Sequence, residues 1–360
     1  MKIFMVMKRL DYSGAPKMFI WLAESLAKSG HDVYVFTFMK QRQNVSLPKY
    51  LHWEKVDIQK KNIFSKIRII RKKIKSLNPD VSISFLLDAN VYNMFACLGF
   101  RTKSVVCERN DPFKPGYYVL KFWKPFFRFA KGAVFQLDRV KDFYKNLNAP
   151  SVVIPNPITC KTDIDCPPFE RRKNAIVSLG RLDVFQKRQD VLIRAFEIMS
   201  KRYPNYELHI YGGGDDEKKI QELAKESSVA DKIKLMGVTL LPQETIKNYK
   251  IFVQSSDFEG IPNSLIEALS VGLPCIATDC RPGGAEFLIK NGVNGFLVPM
   301  GDAEAIAEKM IYLLEHPAEA DLMGEHAKQV RFSLAPERII SMWNDYLDKL
   351  CCEKKGIING

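Results

Sequence analysis

Short runs of β-branched and aromatic residues alternate with helical patterns along the whole chain, and this rhythm restricts the fold more than any other feature. Parallel strands need a long crossover between them, and an α-helix supplies it, so strand–helix alternation predicts parallel sheets. In the first half the strand candidates are Lys2–Met7, Asp32–Phe38, Val81–Phe85, Ser104–Cys107, Gly132–Phe135 and Val152–Ile154. Between the first two, Ala15–Lys28 carries Phe19, Leu22, Ala23 and Leu26 on one helical face. The second half repeats the pattern over Asn174–Leu179, Glu207–Tyr211, Ile233–Met236, Ile251–Gln254, Pro274–Ala277 and Phe296–Val298. Pro155-Asn156-Pro157 and the mixed-charge stretch 160–170, with Pro167-Pro168, block helix and central strand, so they read as a linker. The expectation is two doubly wound α/β domains facing each other, over 1–165 and 166–334, with a C-terminal helix over 335–360 packing back on the first. Ligands in such sheets bind beyond the carboxyl ends of the strands, so the cleft between domains is the expected site.

Composition removes whole classes of alternative. Of 360 residues, 46% are apolar and 26% charged, which excludes a disordered or fibrous chain. The most apolar stretch, Val81–Phe100, is interrupted by Asp88, Asn90 and Asn93, so no spanning helix is expected. The N-terminus reaches charge too soon for a signal peptide. Eight cysteines show no C-x-x-C and no zinc spacing with the five histidines, which predicts reduced thiols in cytosol and no structural metal. Charge is divided unevenly. Residues 1–170 carry 29 Lys and Arg against 14 Asp and Glu, while 171–360 carry 25 against 27. The first half therefore meets something anionic.

The segment richest in chemistry is Phe258-Glu259-Gly260-Ile261-Pro262-Asn263-Ser264-Leu265-Ile266-Glu267-Ala268. It follows a strand and opens a helix. Gly260 permits close backbone approach, Pro262 suits a first helical turn, and Asn263 and Ser264 present free N–H groups at a positive helix end. A phosphate or sugar hydroxyls fit there, with Glu259 and Glu267 facing one polar ligand. A capped helix with two solvated glutamates is the plainer alternative.

Glu259 and Glu267 form an E-x7-E pattern, and the segment around them resembles that of retaining glycosyltransferase family 4, whose fold is GT-B. Other similarities run in order: Ser13-Gly14-Ala15 after the first strand, Val153–Ile158, Gly180-Arg181-Leu182 with Gln186-Lys187, Gly212–Gly214, Met236-Gly237-Val238 and Asn294–Val298. The resemblance covers nearly the whole chain and is strong from about 174 to 330. It implies a GT-B pair of Rossmann-like domains. It also implies that Arg181 and Lys187 neutralise the diphosphate of a nucleotide-sugar donor, because a departing diphosphate accumulates charge that fixed cations stabilise. By the same resemblance Glu267 accepts from ribose hydroxyls and Glu259 lies near the donor sugar. Gly14 lets the first loop approach the diphosphate, and Gly237 and Val238 border the uracil. Gly180, Gly260, Pro262, Asn263, Ser264 and Leu265 complete the implied donor site. Gly212–Gly214 read equally as donor contact or plain turn.

One departure concerns the loop after the fifth strand, where many relatives have a histidine and this chain has Arg109 within Cys107-Glu108-Arg109-Asn110-Asp111-Pro112. A guanidinium is no general base, but it can clamp a phosphate or a sugar hydroxyl. The same run resembles a subset of bacterial capsular, exopolysaccharide and O-antigen transferases; a polar turn is the bland reading. Asp163-Ile164-Asp165 has a metal-binding form but lies in the linker, so it reads as solvated. No cofactor or metal is expected, and Arg181 and Lys187 take the cation's role.

Residues 60–75 hold eight basic residues and no acid, with Ile63, Ile67, Ile70 and Ile74 at helical spacing. That suits a helix on an anionic bilayer, or one packed on its own sheet, and the two are compatible. Residues 113–131 interleave Phe113, Tyr117, Tyr118, Phe122, Trp123, Phe126, Phe127 and Phe129 with cations, a headgroup-level pattern. The combined expectation is a cytosolic enzyme peripheral to the inner membrane face, with no nucleic-acid partner. It would retain configuration while moving a UDP-linked hexose or N-acetylhexosamine onto a lipid-linked saccharide of a surface polysaccharide. The alternatives are a GT-B sugar-nucleotide epimerase, or a non-enzymatic basic protein that binds membrane or nucleic acid.

Overall fold

The apolar runs become strands buried on both faces, as parallel sheets covered by crossover helices require. The computed structural model describes residues 1–11, 14–41, 45–109, 111–113, 118–159 and 163–352. The chain forms two units, one built from Met1–Asn156 and the segment beginning at Pro336, the other from Pro157–Ala335. Both are α/β. Unit one contains β1 (Lys2–Met7), β2 (Asp32–Thr37), β3 (His52–Lys55), β4 (Val81–Phe85), β5 (Lys103–Cys107), β6 (Gly132–Phe135) and β7 (Ser151–Val153). They form one sheet in the order β3-β2-β1-β4-β5-β6-β7, parallel throughout. Unit two contains β8 (Lys173–Leu179), β9 (Glu207–Tyr211), β10 (Ile233–Gly237), β11 (Tyr249–Gln254), β12 (Cys275–Thr278) and β13 (Phe296–Val298). Their order is β10-β9-β8-β11-β12-β13, again all parallel.

Twelve of these strands follow the sequence expectation to within two residues at either end. The thirteenth, β3, is unexpected because His-Trp-Glu-Lys has no apolar run. It is an edge strand, held by its register with β2 from Tyr34↔His52 to Thr37↔Lys55 and by the Trp53 indole donating to Thr37 Oγ1 at 3.1 Å. Charged residues on such an edge oppose further pairing.

The helix Gly14–Lys28 buries the expected Phe19, Leu22, Ala23 and Leu26. A second helix, Pro336–Cys352, adds Ile339, Trp343, Leu347 and Leu350 to the same core as β1, β4 and β5. It packs so tightly that a Cβ at Gly132 would stand 2.3 Å from the Tyr346 hydroxyl, which donates to the Pro150 carbonyl at 2.9 Å.

The linker expectation is corrected in part. Asp165 is bound by Arg331 at 2.6 Å and Lys328 at 3.3 Å, and Arg172, with its side chain 3% exposed, pairs with Asp321 at 2.8 Å. Residues 163–172 are thus tied into unit two by ion pairs that a local reading does not reveal. Cys160 lies outside the described residues; the other seven cysteines are free thiols.

The basic segment forms the helix Ile63–Leu77, started by Asn62 accepting from the Ser65 N–H at 2.9 Å. Its apolar stripe divides. Ile70 and Ile74 are buried, whereas Ile63 is 39% and Phe64 83% exposed. Among the described residues no helix is long and apolar enough to cross a membrane.

Candidate active site

The strand order of unit two reverses direction between β8 and β11, and the loops after these two strands diverge there. This switch point is where open α/β sheets leave a crevice for ligands. Both loops carry the residues singled out by the motifs.

After β8 comes Gly180, and a Cβ there would meet the Lys187 Nζ at 3.5 Å, so the ammonium lies over this glycine. Asp183 caps the short helix Val184–Lys187, accepting from the Gln186 N–H at 3.0 Å. The Arg181 side chain is 58% exposed; its Nη2 forms an ion pair with Asp183 Oδ2 at 2.8 Å and donates to Gln186 Oε1 at 2.7 Å. After β11, Glu259 accepts from Lys187 Nζ and from Ser256 Oγ, the latter at 3.0 Å. Side-chain exposures of 16% for Lys187 and 11% for Glu259 make this a largely desolvated ion pair.

Further ties join the two loops. Ser255 Oγ donates to the carbonyls of Lys187 at 2.8 Å and Arg188 at 3.0 Å. Arg188, in the left-handed conformation at φ 51°, pairs with Asp190 at 3.0 Å and Asp257 at 2.8 Å. These two carboxylates, Asp190 first, raise its pKa still further. Arg188 therefore braces the loop while Arg181 stays accessible.

Pro262 precedes the helix instead of occupying its first turn. Its backbone is extended at φ −78° and ψ 115°, and the helix runs Asn263–Val271. Pro262, at the cap position, gives that N-terminus no side-chain hydrogen bond. Asn263 and Ser264 are half-buried. Leu265 is fully buried, so its side chain packs inside and only its main chain is left for a ligand. Glu267 is 5% exposed on the same helix. Behind the loop, a Cβ on Gly284 would stand 1.7 Å from the Gly260 carbonyl, and the Glu259 N–H donates to the Arg281 carbonyl at 3.0 Å. Gly284, a residue outside the sequence motif, thus lets the backbone of Gly260 pack close against it.

Gly212 and Gly214 are close-packed against the backbone that follows β8. A Cβ on Gly212 would lie 1.8 Å from the Gly180 carbonyl oxygen, and one on Gly214 2.1 Å from that of Leu182. Gly237 ends β10 at φ 71°, and the Gly212 N–H donates to its carbonyl at 2.8 Å. Val238 follows, 71% exposed, as part of a recess of about 530 Å³ lined by Tyr211, Val238, Thr239, Leu240, Leu241, Glu244 and Thr245. Most of that lining carried no motif signal.

Two expected site residues belong to unit one. Gly14 opens the helix Gly14–Lys28, while its neighbour Ser13 lies outside the described residues. Arg109 is 8% exposed, and its guanidinium lies 4.5 Å from the Phe85 ring and 5.8 Å from that of Trp343. Its Nη1 donates to Asn156 Oδ1 at 3.2 Å, and its Nε has no partner among the described residues. Burial lowers its pKa. Asn110, Lys114 and Tyr117 lie outside the described residues.

Residues 162–330 match the family described as Glycosyl transferases group 1. That match spans nearly all of the second unit, which is similar to a group 1 glycosyltransferase domain. An uncharacterized glycosyltransferase of Methanocaldococcus jannaschii is 32% identical over 245 residues, spanning 61% of this chain and 60% of that protein. One of Haemophilus influenzae is 24% identical across 96% of this chain and 99% of its own. The lipopolysaccharide 1,6-galactosyltransferase of Salmonella typhimurium is 37% identical over 155 residues, 41% of this chain and 42% of its own. Among solved structures, the Anabaena protein HepE in complex with UDP and glucose superposes with a TM-score of 0.83 at 17% identity, covering 97% of this chain and 99% of its own. The pneumococcal O-GlcNAc transferase GtfA, in complex with UDP and GlcNAc, gives 0.79 at 14%, covering 98% and 99%. At these identities the structural likeness carries the fold, which is GT-B. Every strand of unit two and both loops of the switch point fall inside the residues matched by the family.

Proposed function

We propose that the protein transfers a sugar, with retention of configuration, from a nucleotide donor to a saccharide acceptor in bacterial surface-glycan synthesis. The single observation that carries this reading is the desolvated Lys187–Glu259 pair beside the accessible Arg181, at the switch point of a unit similar to a group 1 glycosyltransferase domain. Both cations stand on the loop after β8, where a departing diphosphate would gather charge, and charges held in place stabilise it without reorganisation. Glu259 stands beside them on the side of the donor sugar, and Glu267 accepts from the ribose. The acceptor hydroxyl attacks on the face that the diphosphate leaves, so no protein nucleophile is required. The donor is a UDP-linked hexose or N-acetylhexosamine, its base held against Gly237 and Val238. With Arg181 and Lys187 as the cations, transfer needs no divalent ion. The relatives' named activities are transfers, which favours transfer over epimerisation.

The acceptor is a lipid-linked saccharide, and the protein is peripheral to an anionic membrane surface on its cytosolic side. Support comes from one side of unit one, where the helix Leu87–Cys97 is flanked by two apolar and basic elements. One is Ile63–Leu77, with Phe64 exposed; the other is the turn Lys124–Phe129 after the helix Tyr118–Trp123. Phe95 joins the second element through Trp123, Phe126 and Phe129, while Tyr118 and Phe122 are 72% and 63% exposed. A purely nucleic-acid-binding role would leave the donor site unexplained.

Turnover of UDP-sugars with a membrane extract tests the reading. Arg181→Ala or Lys187→Ala is expected to lower it by roughly 10²–10³-fold, the scale of one preorganised charge stabiliser. Excess chelator should leave the wild type active. Near-normal rates in both variants would remove the diphosphate assignment, and activity restored only by magnesium or manganese would remove the metal-free one.

A further inference from the structure

An exposed arginine is a poor electrostatic catalyst unless something holds it, because its long side chain is free to sample many rotamers. Arg181 is 58% exposed on its side chain, yet its Nη2 is fixed by two acceptors. Asp183 is one of them, and its other oxygen is engaged in capping the short helix Val184–Lys187. The second is Gln186, and both ends of this amide are used. Its Oε1 accepts from Arg181 at 2.7 Å, and its Nε2 donates to the Phe258 carbonyl at 3.1 Å. The main-chain carbonyl of Gln186 also accepts from the Asp257 N–H at 2.9 Å.

We infer that Gln186 is a positioning residue that sets Arg181 for an anionic ligand and fixes its distance from the Glu259 loop. The inference rests on the diphosphate reading of Arg181 given above. Its chemistry explains why an amide stands here. A second carboxylate beside Asp183 could not donate to the Phe258 carbonyl and would add to the repulsion of the anion that Arg181 is to meet. The amide adds no negative charge to that of Asp183, and because both acceptors sit on Nη2 the rest of the fork is left for ligand oxygens. Phe258 is the residue before Glu259, so one side chain keeps the two charged loops in register.

The test is a double-mutant cycle on UDP affinity, measured by calorimetry, with uridine as the phosphate-free probe. Gln186→Met keeps the bulk and removes both hydrogen bonds. It is expected to weaken UDP about five- to tenfold, the scale of one net hydrogen bond, and to leave uridine unchanged. In an Arg181→Ala background the same substitution should cost less than about twofold, because the group it positions is gone. Unchanged UDP affinity in Gln186→Met overturns the proposal for Gln186 alone. An undiminished loss in the Arg181→Ala background, or a parallel loss of uridine, shows a structural role and overturns it as well. Unchanged affinity in Arg181→Ala by itself strikes the diphosphate reading, and the role of Gln186 falls with it.

Discussion

At the scale of single residues, the site depends on groups whose partners are distant in sequence. Lys187 and Glu259 are separated by 72 positions, and nothing in either local motif says that they meet. Gly284 is a similar case. Its missing side chain lets the Gly260 carbonyl approach, and so it sets the height of the loop that carries Glu259. Gly284→Ala would force backbone against backbone, which no rotamer can relieve. We expect it to destabilise unit two by about 1–3 kcal/mol, the ordinary range for overpacking, read as a lower midpoint in urea unfolding. A midpoint equal to the wild type's would show that the loop has room to shift. Arg109, expected from its place in the chain to clamp a phosphate or a sugar hydroxyl, is likewise surrounded by residues distant in sequence, Phe85 and Trp343.

At the scale of elements, the helix Ile63–Leu77 shows how far an amphipathic pattern can be read. The spacing of its isoleucines is enough to define the helix, but not how much of the stripe is covered. Packing on the helix Leu87–Cys97 covers Ile70 and Ile74, and Phe64 remains in solvent. The charges divide as well. Arg71 donates to the Ala96 carbonyl at 3.0 Å at the end of the helix Leu87–Cys97, and Lys73 pairs with Glu54. Arg68, Lys72 and Lys75 are exposed, and the proposed lipid contact falls to them. With about 1 kcal/mol from each basic residue near an anionic surface, reversing these three should weaken binding to anionic liposomes by about 3 kcal/mol or more. The attraction is screened at high salt. Phe64→Ser with Phe122→Ser should remove the salt-resistant remainder, since apolar burial is not electrostatic. Sedimentation with neutral and anionic vesicles checks both, and equal partition to the two would refute the electrostatic part.

At the scale of the whole molecule, unit one is completed by a segment from the far end of the chain. Trp343 is 1% exposed and belongs to the core that contains β1, β4 and β5. Truncating it leaves a cavity between helix and sheet. Trp343→Ala is expected to cost about 3–5 kcal/mol and to lower the denaturation midpoint of unit one. Calorimetric unfolding matching the wild type would mean that the helix Pro336–Cys352 adds little to that core.

The alternation of strands and helices, the parallel sheets and the placing of each motif at a strand's carboxyl end were legible in the sequence. Each depends on residues within one or two turns of one another, where side-chain period, β-branching, proline and glycine act directly. The edge strand β3 was not legible, because pairing with β2, not its own composition, makes it a strand. Neither were the ion pairs that draw residues 163–172 into unit two, the packing role of Gly212 and Gly284, or the hold of Gln186 on the Phe258 carbonyl. Those contacts bring together segments far apart in the chain, and no local pattern encodes which carbonyl a glycine will face or which carboxylate a lysine will reach. The sequence by itself determined the elements and the residue types available at the switch point. The tertiary structure alone decided which charges are desolvated together and which remain open, because burial and distance exist only after the strands have taken their order.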